Sequence, residues 1–387
     1  MRPAAGTKLF FMGTEGVLFS DARQELHAFN TTACVIWCHL EDHLAPDQIA
    51  KAITGIDEAV ARSHVDAALA DWSAKGLLEG GSSVPMAAPQ TAQAPDLPPA
   101  PEGVAAVIYR YRTLGVTVQI RFGHERHARL VHPLLAHLVR EDISTPDLIV
   151  NIAQVAGGVG IYVDGIPEAF CARDDEVAPF AKGAVWSAVL RRQDYLLHIH
   201  AGVVGGRAGC VLLPAAAGSG KSTLTLALVH TGYDLFSDEV ALLSPEDLTV
   251  SPFPTSICVK DSGIDVAAAL YPSVRELPIH LRPDGKHVAY LPPPAHTVPP
   301  EGHRRAVSGI VFPSYRAGAP TRSRRLAPAE ALSLLLTHCQ SVGRNLDSES
   351  VGALVRWIEP FPCLELSYGS LASACETISE MLGDRSR

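Results

Sequence analysis

Apolar residues in this chain switch between a period of two and a period near 3.6, and the order of those switches outlines the fold. Lys8–Phe11 and Gly16–Phe19 read as short strands on either side of a Gly13-Thr14-Glu15 turn. A helix follows that carries Val35, Ile36, Trp37 and Leu40, with Asn30 or Thr31 available as its cap. A second helix follows Pro46 and carries Ile49 and Ile53. A third runs over Glu58–Ala74, with Val60, Val65, Leu69 and Trp72 spaced for one face, and closes at Lys75-Gly76, where glycine suits the position after the cap. Short strands followed by three helices predict a small winged-helix-like unit over residues 1–79.

The periodicity then stops. Residues 80–103 are rich in Pro, Ala, Gly and Ser and read as a semi-extended linker. Residues 104–387 form the body. Val104–Phe122 alternates and predicts two strands around Leu114-Gly115. A helical stretch is expected over Leu130–Val139 and strands over Leu148–Ile152 and Gly160–Val163, with a turn at Asp164-Gly165. Phe180–Leu197 has a helical pattern that leads into the region of interest, a core spanning 196–378. Farther on, Pro292–Arg305 reads as a mobile loop, Ser308–Phe312 and Leu364–Tyr368 as strands, and Ala329–Cys339 and Leu371–Leu382 as helices. The fold class expected is therefore mixed, α+β with an α/β portion, and no internal repeat is visible.

Composition narrows the function classes. A length of 387 residues suits two or three domains. A net charge of −9, with few basic residues in the first module, argues against nucleic acid as the partner. No apolar run reaches the length of a membrane span, and Met1–Gly16 lacks the basic-then-apolar order of a secretory signal, so a cytoplasmic location is expected. The eight cysteines include no CxxC pair and read as reduced, buried small hydrophobes. Cys34 and Cys38 share a helix face, but His39 stands off it, and the segment reads as core rather than as a metal site.

One stretch carries readable chemistry. Cys210–Leu213 predicts a buried strand and Ser222–His230 a helix ended by Gly232. Between them, Pro214-Ala215-Ala216-Ala217-Gly218-Ser219-Gly220-Lys221-Ser222-Thr223 is a P-loop, with Ala215 where glycine is usual. In such a loop, backbone N–H groups and the helix N-terminus surround phosphates. Residues 215–223 are accordingly the candidate ATP-binding segment. Within it, Lys221 would reach the β- and γ-phosphates and Ser222 would bind Mg²⁺.

Two flanking elements complete the pattern. Gly232–Val240 ends a strand on the adjacent acids Asp238 and Glu239, suited to a proton-accepting base and a Mg²⁺ holder respectively. His200 lies on a strand upstream of the loop; it reads equally as an electrostatic partner of Asp238 and as a satisfied core histidine. Lys260 and Lys286 read as solvated surface charges ahead of phosphate or acceptor contacts.

Two resemblances sharpen this reading. Leu26–Leu40, with its Asn30-x-Thr32-Ala33-x-x-x-Trp37 core, and the closing Lys75–Leu78 resemble the PqqD family over residues 8–79. That implies capture of the leader of a ribosomally made precursor peptide, added as a strand to a sheet edge. His200–Val203, Ala215–Ser222 and Phe236–Glu239 together resemble the catalytic domain of HPr kinase/phosphorylase over about 104–378. By position, Asp238 matches that family's general acid/base, Glu239 its acidic neighbour, Lys221 and Ser222 its phosphate and Mg²⁺ residues, and His200 its histidine. HPr kinases form hexamers, so the resemblance leaves a homo-oligomer open. The expectation is an ATP- and Mg²⁺-dependent kinase that phosphorylates a Ser or Thr of a captured peptide. The alternatives are a non-catalytic ATP-gated peptide chaperone and a small-molecule kinase with a regulatory winged helix.

Overall fold

The computed structural model describes residues 1–80, 97–100, 105–140, 145–343 and 345–383. Apart from Gly80 and 97–100, the linker expected over 80–103 lies outside the described residues. The chain divides into two compact units, Met1–Gln90 with Arg325–Cys363 and Thr91–Arg324 with Leu364–Arg387.

In the first unit, strands β1 (Thr7–Met12), β2 (Glu15–Ser20) and β3 (Glu25–Phe29) form an antiparallel sheet in chain order. Helices α1 (Thr31–Glu41), α2 (Pro46–Ala52) and α3 (Glu58–Ala74) follow. β3 was not anticipated, because only Phe29 of its five residues is buried and the strand shows no alternation. Asn30 is the α1 cap: its side-chain oxygen accepts from the Ala33 N–H at 2.9 Å. Gly76 takes φ +63° just past the α3 cap, as expected.

The core centres on three aromatics. Phe29 stacks on Trp72 at 4.9 Å, and Trp37 meets both edge-on, at 5.6 and 5.2 Å. Trp37 is fully buried. Trp37→Ala should therefore cost about 3–5 kcal/mol. An unchanged urea midpoint for this unit's unfolding would contradict that packing role.

The second unit opens with a sheet in the order β4 (Val107–Thr113), β5 (Val116–Phe122), β6 (Leu148–Val155), β7 (Gly158–Val163) and β8 (Ile166–Cys171). β5 and β6 are parallel and the other neighbours antiparallel. Leu114 and Gly115 at the first hairpin, and Asp164 and Gly165 at the third turn, all have positive φ, the backbone that tight hairpin turns demand. Helix α4 (Glu125–Leu135) starts earlier than the expected Leu130, and α5 (Asp174–Leu190) starts and ends before the expected 180–197. A capping contact explains the α5 start: the Glu176 carboxylate accepts from the Arg173 N–H at 3.0 Å.

The chain then builds β9 (Leu197–Gly205), β10 (Cys210–Pro214), α6 (Lys221–His230), β11 (Asp234–Ser237) and β12 (Val240–Leu243). After these come β13 (Ile257–Lys260), α7 (Ile264–Leu270), β14 (His280–Leu281), β15 (His287–Leu291), β16 (Val307–Tyr315) and β17 (Arg322–Arg325). It passes through α8 (Pro328–Leu336), β18 (Cys339–Val342) and α9 (Ser348–Ile358), then closes with β19 (Cys363–Tyr368) and α10 (Leu371–Leu382). The main sheet runs β11-β9-β10-β16-β19-β17, and β12 also pairs with β9. A small sheet runs β13-β15-β14. The stretch 292–305, expected to be loose, is anchored instead: Val250 and Arg305 exchange backbone hydrogen bonds at 2.8 and 3.0 Å, and Thr297 is buried.

Residues 325–363, assigned to the body from sequence, cluster with the first unit. There α8 packs on β2 and β3, and α9 on β1. Gln24 ties them on, accepting from the Leu346 N–H at 2.7 Å and donating to its carbonyl at 3.1 Å. Consecutive Val17, Leu18 and Phe19 are all buried, which a strand shows only when both faces are covered. Among the described residues no helix is long and apolar enough to cross a membrane.

Candidate functional site

β10 is buried along its whole length between β9 and β16, so the chain leaving it at Pro214 must emerge at the sheet's end. Residues 215–220 turn there and α6 begins at Lys221, one residue before the expected Ser222. Gly218 and Gly220 take φ +92° and +87°, a conformation that disfavours a side chain. At Gly220 a Cβ would also lie 2.6 Å from the Tyr368 Oη and 2.8 Å from the Tyr315 Cβ. Ala215 is not among the residues with positive φ, so a methyl group replaces the usual glycine without strain. Strands β16 and β19 clamp the loop: the Tyr315 N–H donates to the Ser219 carbonyl at 2.9 Å, and the Tyr368 hydroxyl to the Gly220 carbonyl at 3.2 Å. No side chain caps α6, and residues 216–218 are exposed. Those are the conditions under which a helix N-terminus accepts an anion.

The acids sit in the turn between β11 and β12. The Ser237 hydroxyl accepts from the backbone N–H of Val240 at 3.0 Å and of Glu239 at 3.3 Å, which fixes the bend. Asp238 is fully buried. Its Oδ2 accepts from the Cys258 N–H at 3.3 Å, and its Oδ1 has no hydrogen-bond partner among the described residues. Burial pushes its pKa up to about 6; the Lys221 charge opposes this, Glu239 adds to it, and Lys182 and the Ser222 hydroxyl oppose it. Glu239 is treated differently. Burial raises its pKa as well, but Lys182, whose ammonium lies 3.0 Å from Oε1, together with the charges of Lys221 and Arg282, outweighs burial and holds the carboxyl below its ordinary range.

Lys221 is 7% exposed. Its ammonium lies 2.8 Å from the His200 Nε2. An ammonium can only donate, so Nε2 accepts and a neutral His200 carries its proton on Nδ1. Burial pulls the Lys221 pKa down to about 8, opposed by Asp238 and Glu239 and reinforced by Lys260. The structure thus brings together Lys221, Ser222, Asp238, Glu239 and His200, with His200 placed against Lys221. Lys260 lies within electrostatic reach. Lys286 does not join them; it is half exposed and pairs with Asp284 at 2.9 Å. Close packing holds the parts in place. A Cβ on Gly202 of β9 would fall 2.3 Å from the Thr225 Oγ1 of α6.

Sequence reasoning missed Lys182, Tyr315 and Tyr368. For Lys182 a signal existed: it is the sole lysine in the apolar helical run of α5. The two tyrosines carried no local signal, because their role is a contact with a distant loop.

The donor set of Ser222 hydroxyl and two carboxylates is all hard oxygen, and Asp238 Oδ1 is a buried acceptor without a partner among the described residues. Both features fit Mg²⁺, which prefers carboxylate and phosphate oxygens.

No family model matches the chain, and no curated protein matches it. Among solved structures the chain is similar to TbiB1 in complex with the TbiA(beta) leader peptide, at 22% identity and TM-score 0.20, over 21% of this chain and 100% of that one. It is also similar to the Hpr(Ser) kinase/phosphatase from Coxiella burnetii, at 16% identity and TM-score 0.24, over 48% of this chain and 94% of that one. At those scores neither likeness decides a role; residues 215–223 and those of the β11–β12 turn bear on it instead.

Proposed function

We propose that the protein transfers the γ-phosphate of ATP to a Ser or Thr hydroxyl of a ribosomally made precursor peptide. In this reading residues 8–79 hold the leader, added as a strand to the edge of the β1–β3 sheet. The tether raises the local concentration of the core peptide at the second unit. The observation that carries the reading is Asp238, a fully buried carboxylate beside the Ser222 hydroxyl whose charge is felt by Lys221.

Each residue has a task. The loop N–H groups and the α6 N-terminus bind the phosphates, and Lys221 exchanges His200 for the γ-phosphate as charge builds there. Asp238 accepts the proton of the attacking hydroxyl as that oxygen bonds to phosphorus and the bond to ADP breaks. Ser222 and Glu239, with Asp238 beside them, would hold Mg²⁺, which neutralises charge on the β- and γ-phosphates.

The test is intact mass of a candidate precursor peptide incubated with the protein and Mg-ATP. One added phosphate supports the reading. Peptide binding without a mass change would favour the chaperone, and phosphorylation of a small molecule alone would favour a kinase with a regulatory module. Deleting residues 1–80 is a poor control, because it uncovers the apolar face of α8 that packs on β2 and β3. That truncation is expected to aggregate. Excess free leader peptide is the cleaner probe, and it should inhibit competitively.

The pH profile should show the base. Asp238 is raised to about 6 and acts only when ionised, so kcat/KM should rise with pH through about 6 and fall again above about 8 as Lys221 loses its proton. The facing charged groups are Lys221, Glu239 and Lys182. A rate flat from pH 5 to 8 would remove Asp238 from the base role.

A further inference from the structure

We propose that Lys182 is a positioning residue that locks Glu239 so that one carboxylate oxygen, Oε2, is left for the Mg²⁺ of the bound nucleotide. This inference deepens the kinase reading and rests on it. Lys182 lies mid-way along α5, a helix of the preceding sheet layer and remote in sequence from the P-loop. It is 4% exposed, and its ammonium meets the Glu239 Oε1 at 3.0 Å. The rings of Tyr290 and Trp186 flank that ammonium at 5.1 and 5.9 Å, so aromatic faces fix its approach.

A buried lysine costs stability unless it is paired, and a hydrophobic residue of similar size commonly does the packing as well. The packing around α5 therefore gives no reason for an ammonium, whereas Glu239 does. The Glu239 backbone is held by the Ser237 hydroxyl at its N–H and by the Ala201 N–H at its carbonyl, 3.2 Å away. The side chain is about one-quarter exposed and has rotamers to lose. Lys182 removes that freedom. It also occupies Oε1, so Glu239 offers the cation a single oxygen rather than a bidentate carboxylate. Outer groups that orient metal-holding carboxylates commonly control metal affinity in this way.

The experiment measures ATP binding by calorimetry, with Mg²⁺ and with EDTA, together with the Mg²⁺ dependence of transfer. The proteins are the full-length parent, Lys182→Met, Lys182→Arg, Glu239→Gln and the double variant Lys182→Met/Glu239→Gln. Lys182→Met should raise the Mg²⁺ concentration for half-maximal binding about tenfold and leave binding in EDTA unchanged. Lys182→Arg should recover most of the loss, and Lys182→Met should add little once Glu239 is glutamine.

An unchanged Mg²⁺ requirement in Lys182→Met overturns the proposal. So does an equal loss of binding in EDTA, or fully additive effects of the two single changes. If Lys182→Met fails to fold, the other two single variants decide: a near-parent Mg²⁺ requirement in Lys182→Arg beside a raised requirement in Glu239→Gln, with binding in EDTA unchanged in both, supports positioning, and a parent-like profile in Glu239→Gln overturns it. A parent protein with no Mg²⁺-dependent ATP binding overturns the kinase reading as well, and so is distinguishable from a failure of Lys182 alone.

Discussion

Asp238→Asn should bind Mg-ATP and transfer phosphate roughly 10²–10⁴-fold more slowly than the parent, the usual loss on removing a general base. The same variant should be more stable. Asp238 has a folded pKa raised to about 6, so its contribution to stability is full below the unfolded pKa, near 4, and is lost as pH rises through about 6. At pH 7–8 the buried carboxylate is therefore a net cost, on the order of 2–3 kcal/mol for a shift of about two units. Asparagine keeps an acceptor for the Cys258 N–H and carries no charge. A Tm a few degrees above the parent is expected, with transfer largely lost. An Asp238→Asn protein that turned over normally would remove the base assignment. A lower Tm would mean that the carboxylate is stabilised by contacts other than those described.

Lys221→Met should lose both functions. Removing one group that meets developing charge costs about 10²–10³ in rate, and the lost phosphate contact should weaken ATP binding as well. Stability again moves the other way. The Lys221 pKa is depressed to about 8, so its favourable contribution exists above the unfolded pKa near 10 and is lost as pH falls through 8. At neutral pH the buried ammonium costs stability, which Asp238, Glu239 and the 2.8 Å contact to His200 only partly offset. Methionine fills similar volume without charge, so thermal melts at pH 7 should show Lys221→Met at or above the parent Tm. Full ATP affinity in this variant would place the phosphates elsewhere.

The two residues assigned the central tasks are thus both held in the charge state that their surroundings resist. Groups of that kind cluster at working sites more often than in scaffold, where a neutral side chain would serve. Lys182 belongs with them. Its burial between Tyr290 and Trp186 makes no structural sense without Glu239.

Features that rest on contiguous residues were legible in the chain alone. The strand–loop–helix of 210–230 could be read because a tight turn from a buried strand into a helix is set by local geometry, which its glycines announce. The hairpin at Leu114-Gly115 and the caps at Asn30 and Gly76 were legible for the same reason, since turn and cap conformations depend on neighbours a few residues away. Everything else came from packing. Folding placed His200 on Lys221, Lys182 on Glu239 and Tyr368 over Gly220. It also drew 325–363 to the first unit, where both faces of β2 become buried. These are contacts between residues far apart in sequence, and no periodicity records them. A buried charge is stable only in the company that the folded chain brings to it, and that company is a property of packing, not of any segment read alone.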